Sequence, residues 1–178
     1  LSYDFFFLLE TSNSVGPKTG WIPFYIIFKE KNIVVGIIIS FLKNHSQGEY
    51  VFDHSWADAY ERSGGNYYPK LQVAVPFTPV SGERILVQSE YEDKVGEMIS
   101  SAKRLVEENN LSSLHMTFCS KSFVSVAKKN NLLIREGIQY HWFNRDYKSF
   151  DDFLGSLTYR KRKNIIKERK QARDFGGE

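Results

Sequence analysis

Apolar side chains recur every three to four residues in several parts of the chain, and this spacing predicts amphipathic helices. The clearest case is Glu92–Asn110, where Val95, Met98, Ile99 and Ala102 would share one face. Polar cap residues and glycines mark the ends of further helices. These are predicted over Ser2–Ser12, His54–Ser63, Ser120–Asn130, Ser149–Leu157 and Thr158–Asp174.

Two of these helices carry specific cap predictions. Asp53 is expected to cap the helix that starts at His54, and the pair Gly64-Gly65 is expected to end it. Ser149 followed three residues later by Asp152 is typical of a capping box, in which the two side chains bond to backbone N–H groups.

Runs of β-branched and aromatic residues predict strands. Phe24–Lys29 and Ile33–Lys43 are joined by Glu30-Lys31-Asn32, a connection short enough for a β-hairpin. Further strands are predicted at Arg84–Gln88, Leu111–Phe118 and Gly137–Tyr147.

Tyr67–Phe77 is predicted to be extended, with Pro69 and Pro76 keeping it out of a fully paired central position. Helices and strands alternate in the second half of the chain, which favours a mixed α/β sheet with helices packed on it. This pattern by itself fits several α/β folds.

Composition supports one full domain with a hydrophobic core. The chain has 178 residues, of which 42% are hydrophobic and 15% aromatic. Cys119 is the single cysteine, so an internal disulfide is excluded and a cytoplasmic location is predicted. No apolar run reaches the roughly 18 residues that span a bilayer.

The net charge of +3 is concentrated in one segment. Residues 156–178 hold eight basic and three acidic side chains, whereas the rest of the chain holds 16 basic and 18 acidic ones. The positive field therefore belongs to the last predicted helix.

Five motifs carry a resemblance to a family of bacterial N-acyltransferases linked to peptidoglycan biosynthesis. They are Gly48–Arg62, Tyr67–Val80, Ser112–His115, Gln139–Trp142 and Ser149–Leu154. The family is similar to the Fem-type aminoacyltransferases, which build peptidoglycan cross-bridges. Those enzymes consist of two tandem GNAT-like domains. The resemblance implies a GNAT-like mixed sheet flanked by helices.

The basic run that starts at Arg160 resembles the helix that opens the second domain of Fem-type enzymes. This implies a first GNAT-like domain at 1–147 and the start of a truncated second domain at 148–178. A Gly-rich pyrophosphate turn of the kind that holds acyl-CoA is missing from the sequence. The donor is therefore expected to be acyl-CoA held elsewhere or aminoacyl-tRNA, and the chain alone is expected to show no turnover.

The polar and aromatic residues around the predicted helix at His54 form the first candidate site. They could stack on and hydrogen-bond a sugar or peptide acceptor. The alternative is that the aromatic residues are core positions at helical spacing. The candidate substrate-binding residues are His54, Trp56, Tyr60, Tyr67, Tyr68, Lys70 and Gln72.

Two histidines on predicted strands, His115 and His141, are candidate general bases for an amine nucleophile. The alternative is that each is a structural histidine with a satisfied hydrogen bond. The histidines lack metal-ligand spacing and Cys119 has no partner, so no metal site is predicted. Cys119 follows a buried strand and is expected to be inert.

The last predicted helix carries a basic stripe at three- and four-residue steps, formed by Arg160, Lys163, Lys167 and Lys170. Such a stripe could bind phosphates of tRNA, a nucleotide-linked precursor or a lipid. The alternative is a solvated charged face.

Two functions follow from these observations. The first is transfer of an acyl or aminoacyl group to an amine, with a cell-wall precursor as the acceptor. The second is a non-catalytic module that binds a muropeptide or nucleic acid.

Overall fold

The computed structural model describes residues 2–176 of the chain, which divides into two compact units, Leu1–Arg135 and Glu136–Glu178. The first unit holds four α-helices and seven strands, in the order α1 (Tyr3–Thr11), β1 (Trp21–Pro23), β2 (Ile26–Glu30), β3 (Ile33–Ile38), β4 (Ser40–Lys43), α2 (His54–Arg62), β5 (Lys70–Val73), β6 (Ile85–Val87), α3 (Val95–Glu108), β7 (Leu114–Met116) and α4 (Phe123–Lys129). The second unit holds α5 (Phe150–Gly155) and α6 (Tyr159–Asp174). Short 3₁₀ turns occur at Pro17–Thr19 and Ser89–Lys94.

The first sheet has the strand order β1-β4-β5-β7, in which β5 is parallel to β7 and antiparallel to β4. The prediction that Pro69 and Pro76 exclude Tyr67–Phe77 from a central position is wrong. The two prolines flank β5 without lying in it, so every residue of Lys70–Val73 keeps its N–H group for the ladder.

The second sheet has the order β2-β3-β6, and the predicted hairpin between β2 and β3 is confirmed. Its turn residues Lys31 and Asn32 both have positive φ, the backbone geometry that closes a two-residue hairpin. Ile33–Lys43 is not one strand, because β3 ends at Ile38 and β4 belongs to the other sheet. The break at Ile39 lets successive apolar residues enter two different hydrophobic clusters.

The larger hydrophobic cluster lies between the strands and the helices α3 and α4. The buried face of α3 supplies Met98, Ile99, Ala102 and Val106, in agreement with the predicted helical spacing. This packing gives the first unit a mixed α/β fold with a mixed sheet flanked by helices. The predicted fold class is confirmed, and the architecture is consistent with a GNAT-like fold.

The predicted strand at Gly137–Tyr147 is wrong, since this segment has no regular secondary structure. Its apolar side chains are exposed, with Ile138 at 82% and Tyr140 at 95%. A β-strand needs a hydrogen-bonded neighbour, and none of the described strands pairs with this segment. Aromatic composition alone therefore did not produce a strand.

The second unit confirms the Ser149 half of the predicted capping box, whereas the return bond from Asp152 reaches the residue before the cap. The backbone N–H of Asp152 donates to Ser149 Oγ, and the Asp152 carboxylate accepts from the N–H of Lys148. The predicted domain boundary at residue 147 stays a prediction, and the last two residues of the predicted segment 148–178 lie outside the described part.

Candidate functional site

A buried charged cluster lies on the β4–β5 side of the first sheet. The Nζ atom of Lys70 donates to Glu49 Oε2 at 2.8 Å, to Asp53 Oδ2 at 2.8 Å and to Ser46 Oγ at 2.9 Å. All four side chains are buried, and Lys70 is fully so. We call Lys43, Ser46, Glu49, Asp53 and Lys70 the lysine–acid cluster.

The fold assembles this cluster from one strand pair and one loop. Lys43 and Lys70 are cross-strand partners in the β4–β5 register, so their side chains share one face of the sheet. The loop of residues 44–53 runs from the end of β4 to α2 and supplies the two carboxylates. The cluster therefore contains two lysines and two acids, so its formal charges balance. Of the two lysines, only Lys70 forms ion pairs with the acids.

Asp53 does not act as the predicted helix cap. It occupies the position before α2, but its side chain makes no cap hydrogen bond. The carboxylate instead accepts from Lys70 and from the hydroxyl of Tyr67, the latter at 2.8 Å. An ion pair in a buried site is stronger than an exposed cap bond, which explains why the carboxylate turns inward.

The second lysine, Lys43, lies against Trp21. Its Nζ atom is 3.7 Å from the Trp21 ring centroid and donates to the carbonyl of Gln47 at 3.2 Å. Burial lowers the pKa of Lys43 to about 7, and the positive charge of Lys70 adds to this while Glu49 opposes it. Lys43 is therefore the member of the cluster most easily converted to a neutral amine.

The two carboxylates respond differently to burial. Burial tends to raise the pKa of Asp53, but hydrogen bonds from Lys70, Ser46 and Tyr67 outweigh it and hold that pKa well below its usual range. Burial raises the pKa of Glu49, and its bond to Lys70 only partly offsets this. Asp53 is therefore the firmly ionised partner of Lys70.

Three acceptor atoms near this face have no hydrogen-bond donor among the described residues. They are Glu49 Oε1, Asp53 Oδ1 and Gln72 Oε1, all of them buried. A buried acceptor without a donor is costly, so the cluster carries spare capacity to accept hydrogen bonds.

The predicted substrate-binding residues divide into three groups by exposure. His54, Trp56 and Tyr60 on α2 are exposed, whereas Lys70 and Gln72 on β5 are fully buried. Tyr67 and Tyr68 are half-buried and link the groups, because Tyr67 bonds to Asp53 and Tyr68 bonds to Ser46.

These seven residues therefore do not all line one surface: five reach solvent, whereas Lys70 and Gln72 are buried. Their assignment to substrate binding stays a prediction. The sequence analysis missed Lys43, Ser46 and Glu49. A lysine directly after the apolar pair Phe41-Leu42 was the available signal for Lys43.

His115 lies on β7, with its ring centroid 5.9 Å from that of Tyr67 in an edge-on arrangement. Burial and the positive charge of Lys70 lower the pKa of His115 to about 4, so the imidazole is neutral near pH 7. His141 lies in the second unit, exposed, beside Gln139 and stacked on Phe143. A catalytic role for either histidine stays a prediction.

The basic stripe on α6 is exposed at all four predicted positions, Arg160, Lys163, Lys167 and Lys170. Another face of the helix turns toward α5, where the Arg162 guanidinium donates to the carbonyls of Leu154, Gly155 and Leu157. The α5–α6 pair also forms a cleft of about 440 Å³. Its lining is Phe150, Asp151, Leu154, Ile166, Arg169 and Arg173.

Cys119 is half-buried, and burial raises the pKa of its thiol. Residues 2–176 contain no group of three or more side chains placed to hold a metal ion. Within the same part of the chain, no helix combines the length and the apolar character needed to cross a bilayer.

The chain belongs to the FemAB-like family, whose model matches residues 1–178 and is described as peptidoglycan biosynthesis/recognition. No curated protein and no solved structure matches the chain significantly.

Proposed function

We propose that the chain serves the transfer of an acyl or aminoacyl group to an amine on a peptidoglycan precursor. The lysine–acid cluster at the start of α2, together with the exposed aromatic residues of that helix, is the observation that carries this proposal. Membership of the FemAB-like family supports a transferase acting in peptidoglycan chemistry. Transfer of this type needs no covalent intermediate. Holding the amine next to the donor carbonyl supplies much of the increase in reaction rate.

In this proposal, the α2 side of the first unit holds the acceptor. Trp56 and Tyr60 offer exposed rings at 65% and 52%, and the Arg135 guanidinium lies 6.0 Å from the Trp56 ring centroid. Asp53 and Lys70 fix the backbone from which α2 starts, so the rings are held by a rigid base. The neutral His115 on β7 is the candidate to accept a proton from the amine.

The test is transfer of labelled acyl or aminoacyl groups from a panel of acyl-CoAs and aminoacyl-tRNAs to amine-bearing muropeptides. Trp56→Ala should raise the KM for the acceptor, while Trp142→Ala serves as a matched control because Trp142 is also exposed. Absence of transfer to every acceptor, with a folded protein that carries both of the domains predicted from the sequence, would contradict the proposal.

The donor is proposed to be acyl-CoA or aminoacyl-tRNA. The exposed basic stripe of α6 suits a phosphate backbone, and each phosphate contact contributes about 0.7–0.9 to the slope of log K against log salt. Titration with tRNA at several salt concentrations tests this contact. An affinity that does not change with salt would exclude the stripe as a tRNA contact.

A binding module without chemistry is the second candidate. The charged groups of the lysine–acid cluster are buried, whereas Trp56 and Tyr60 on the adjoining helix α2 are exposed, an arrangement that suits recognition. Calorimetry with muropeptides separates the two functions, because a pure binding module would bind the acceptor yet transfer nothing. A cytoplasmic location stays a prediction for both.

A further inference from the structure

The 44–53 loop holds two aromatic residues in a conformation that bulky side chains rarely adopt. Tyr50 has φ of 57° and Phe52 has φ of 52°, both in the left-handed region. For residues with a Cβ atom this region is unfavourable, because the Cβ atom comes too close to the following carbonyl oxygen. Neither ring recovers that cost by packing, since Tyr50 is 51% exposed and Phe52 is 77% exposed.

The loop is nevertheless fixed by buried bonds along its length. Lys70 binds Ser46, Glu49 and Asp53, so one buried ammonium joins three points of the loop. The carbonyl of Gln47 accepts from both Trp21 Nε1 at 3.2 Å and Lys43 Nζ at 3.2 Å.

Two further hydrogen bonds hold the start of the loop, at His45 and Ser46. Tyr68 bonds to Ser46 at 2.8 Å, and the His45 ring bonds to the carbonyl of Thr19 at 3.0 Å. The anchors therefore oppose relaxation of the loop into a less strained form, and the two rings stay turned outward.

Strain that is maintained by a buried network, while the strained side chains face solvent, is typical of a ligand-binding loop. We infer that Tyr50 and Phe52 form a carbohydrate-binding edge, displayed by Lys70 as a positioning residue, that stacks on a sugar ring of the acceptor. This inference rests on the proposed function in peptidoglycan chemistry and assigns the glycan part of the acceptor to the loop.

The chemistry of the two rings favours a sugar over a charged ligand. An aromatic face carries partial negative charge, and the flat faces of a pyranose present C–H groups with partial positive charge. Rigid aromatic side chains lose little conformational entropy when a ligand stacks on them. Peptidoglycan contains N-acetylated hexosamine rings, which offer such faces.

The direct test is calorimetry of the full chain with triacetylchitotriose, a soluble oligomer of N-acetylglucosamine. Tyr50→Ala and Phe52→Ala should each weaken binding by about tenfold, which corresponds to about 1.4 kcal/mol, and Phe52→Trp should retain it. Tyr3→Ala is the matched control, because Tyr3 on α1 is 77% exposed, the same fraction as Phe52. It should bind like the parent chain.

The positioning role of Lys70 is tested by a double-mutant cycle. Lys70→Met should weaken sugar binding, and Phe52→Ala should weaken it little further in that background, because the ring is no longer held. Additive losses would show that Lys70 does not act through the loop. Glu49→Gln replaces Lys70→Met in the cycle if the latter does not fold.

Three other results would overturn the inference. These are no measurable binding of triacetylchitotriose to the parent chain, tighter binding of a stem tripeptide than of the sugar, and an equal loss in Tyr3→Ala. Calorimetry measures binding without transfer. Sugar binding without transfer, in a protein that carries both predicted domains, would thus contradict the proposed transferase alone. Transfer without sugar binding would contradict this inference alone.

Discussion

Lys43 and Lys70 are direct cross-strand partners in the β4–β5 pair, and both side chains are fully buried. Two like charges placed opposite each other in a sheet are normally destabilising. Here the 44–53 loop brings Glu49 and Asp53 to Lys70. The Lys43 ammonium instead lies over the Trp21 ring and donates to the carbonyl of Gln47. The buried side chains of the loop, Ser46, Glu49 and Asp53, are therefore part of the folded core.

Removing Lys70 should be strongly destabilising. Lys70→Met leaves the carboxylates of Glu49 and Asp53 buried without their cation, and breaking a buried ion pair in this way costs about 3–5 kcal/mol. Urea denaturation measures the loss. Lys94→Met is the matched control, because it breaks the exposed Lys94–Glu97 pair and should change stability little. Adding Glu49→Gln and Asp53→Asn to Lys70→Met should recover part of the loss; no recovery would contradict the role assigned to the unpaired charges.

Stability should rise with pH above neutrality through Lys43. Its pKa falls from 10.5 to about 7 on folding, so the unfolded chain binds more protons between those values and each rise in pH favours the folded state. The urea midpoint should increase from about pH 7 to about pH 9. Lys43→Met should flatten this rise, and an equal slope in both proteins would show that Lys43 is not its source.

His115 should remain neutral far below its ordinary titration range. Because burial lowers its pKa to about 4, the imidazole resonances should shift with a midpoint near that value. The stability that the neutral ring contributes is present above its unfolded pKa of 6.5 and is lost as pH falls through about 4. NMR titration measures the midpoint, with His115→Gln as the assignment control. A midpoint near 6.5 would mean that the ring is solvated.

Arg162 should hold the α5–α6 junction together. Its guanidinium donates to three carbonyls at the end of α5, and hydrogen bonds from a charged donor contribute about 1.5–3 kcal/mol. Arg162→Gln should therefore increase hydrogen exchange of the α5 amides. Arg160→Gln removes the same charge from the exposed stripe and should leave α5 protection unchanged. Similar exchange in both variants would contradict the assignment.

α6 itself should exchange quickly, because none of its residues is buried and packing rather than propensity stabilises most helices. The amides of Ile165 and Ile166 should be protected far less than those of Ile99 and Ala102 in α3, whose side chains are buried. Hydrogen exchange followed by mass spectrometry compares the two helices in one experiment. Equal protection would show that α6 has stabilising contacts beyond those of α5.

Features that depend on neighbours in the sequence could be predicted from the sequence alone. The β2–β3 hairpin, the Ser149–Asp152 capping box and the buried face of α3 each arise from residues a few positions apart. The basic stripe of α6 likewise follows from helical spacing. Local geometry was sufficient for all four.

The tertiary structure decided which distant groups meet, and this changed the site. Asp53 was expected to cap α2, but Lys70, 17 residues away, gave its carboxylate a stronger partner. Gly137–Tyr147 has the composition of a strand yet lacks a described neighbour to pair with. The composition of a segment sets which hydrogen bonds and charges it can offer, whereas only the folded chain sets which of them lie within bonding distance, and the lysine–acid cluster exists for that reason.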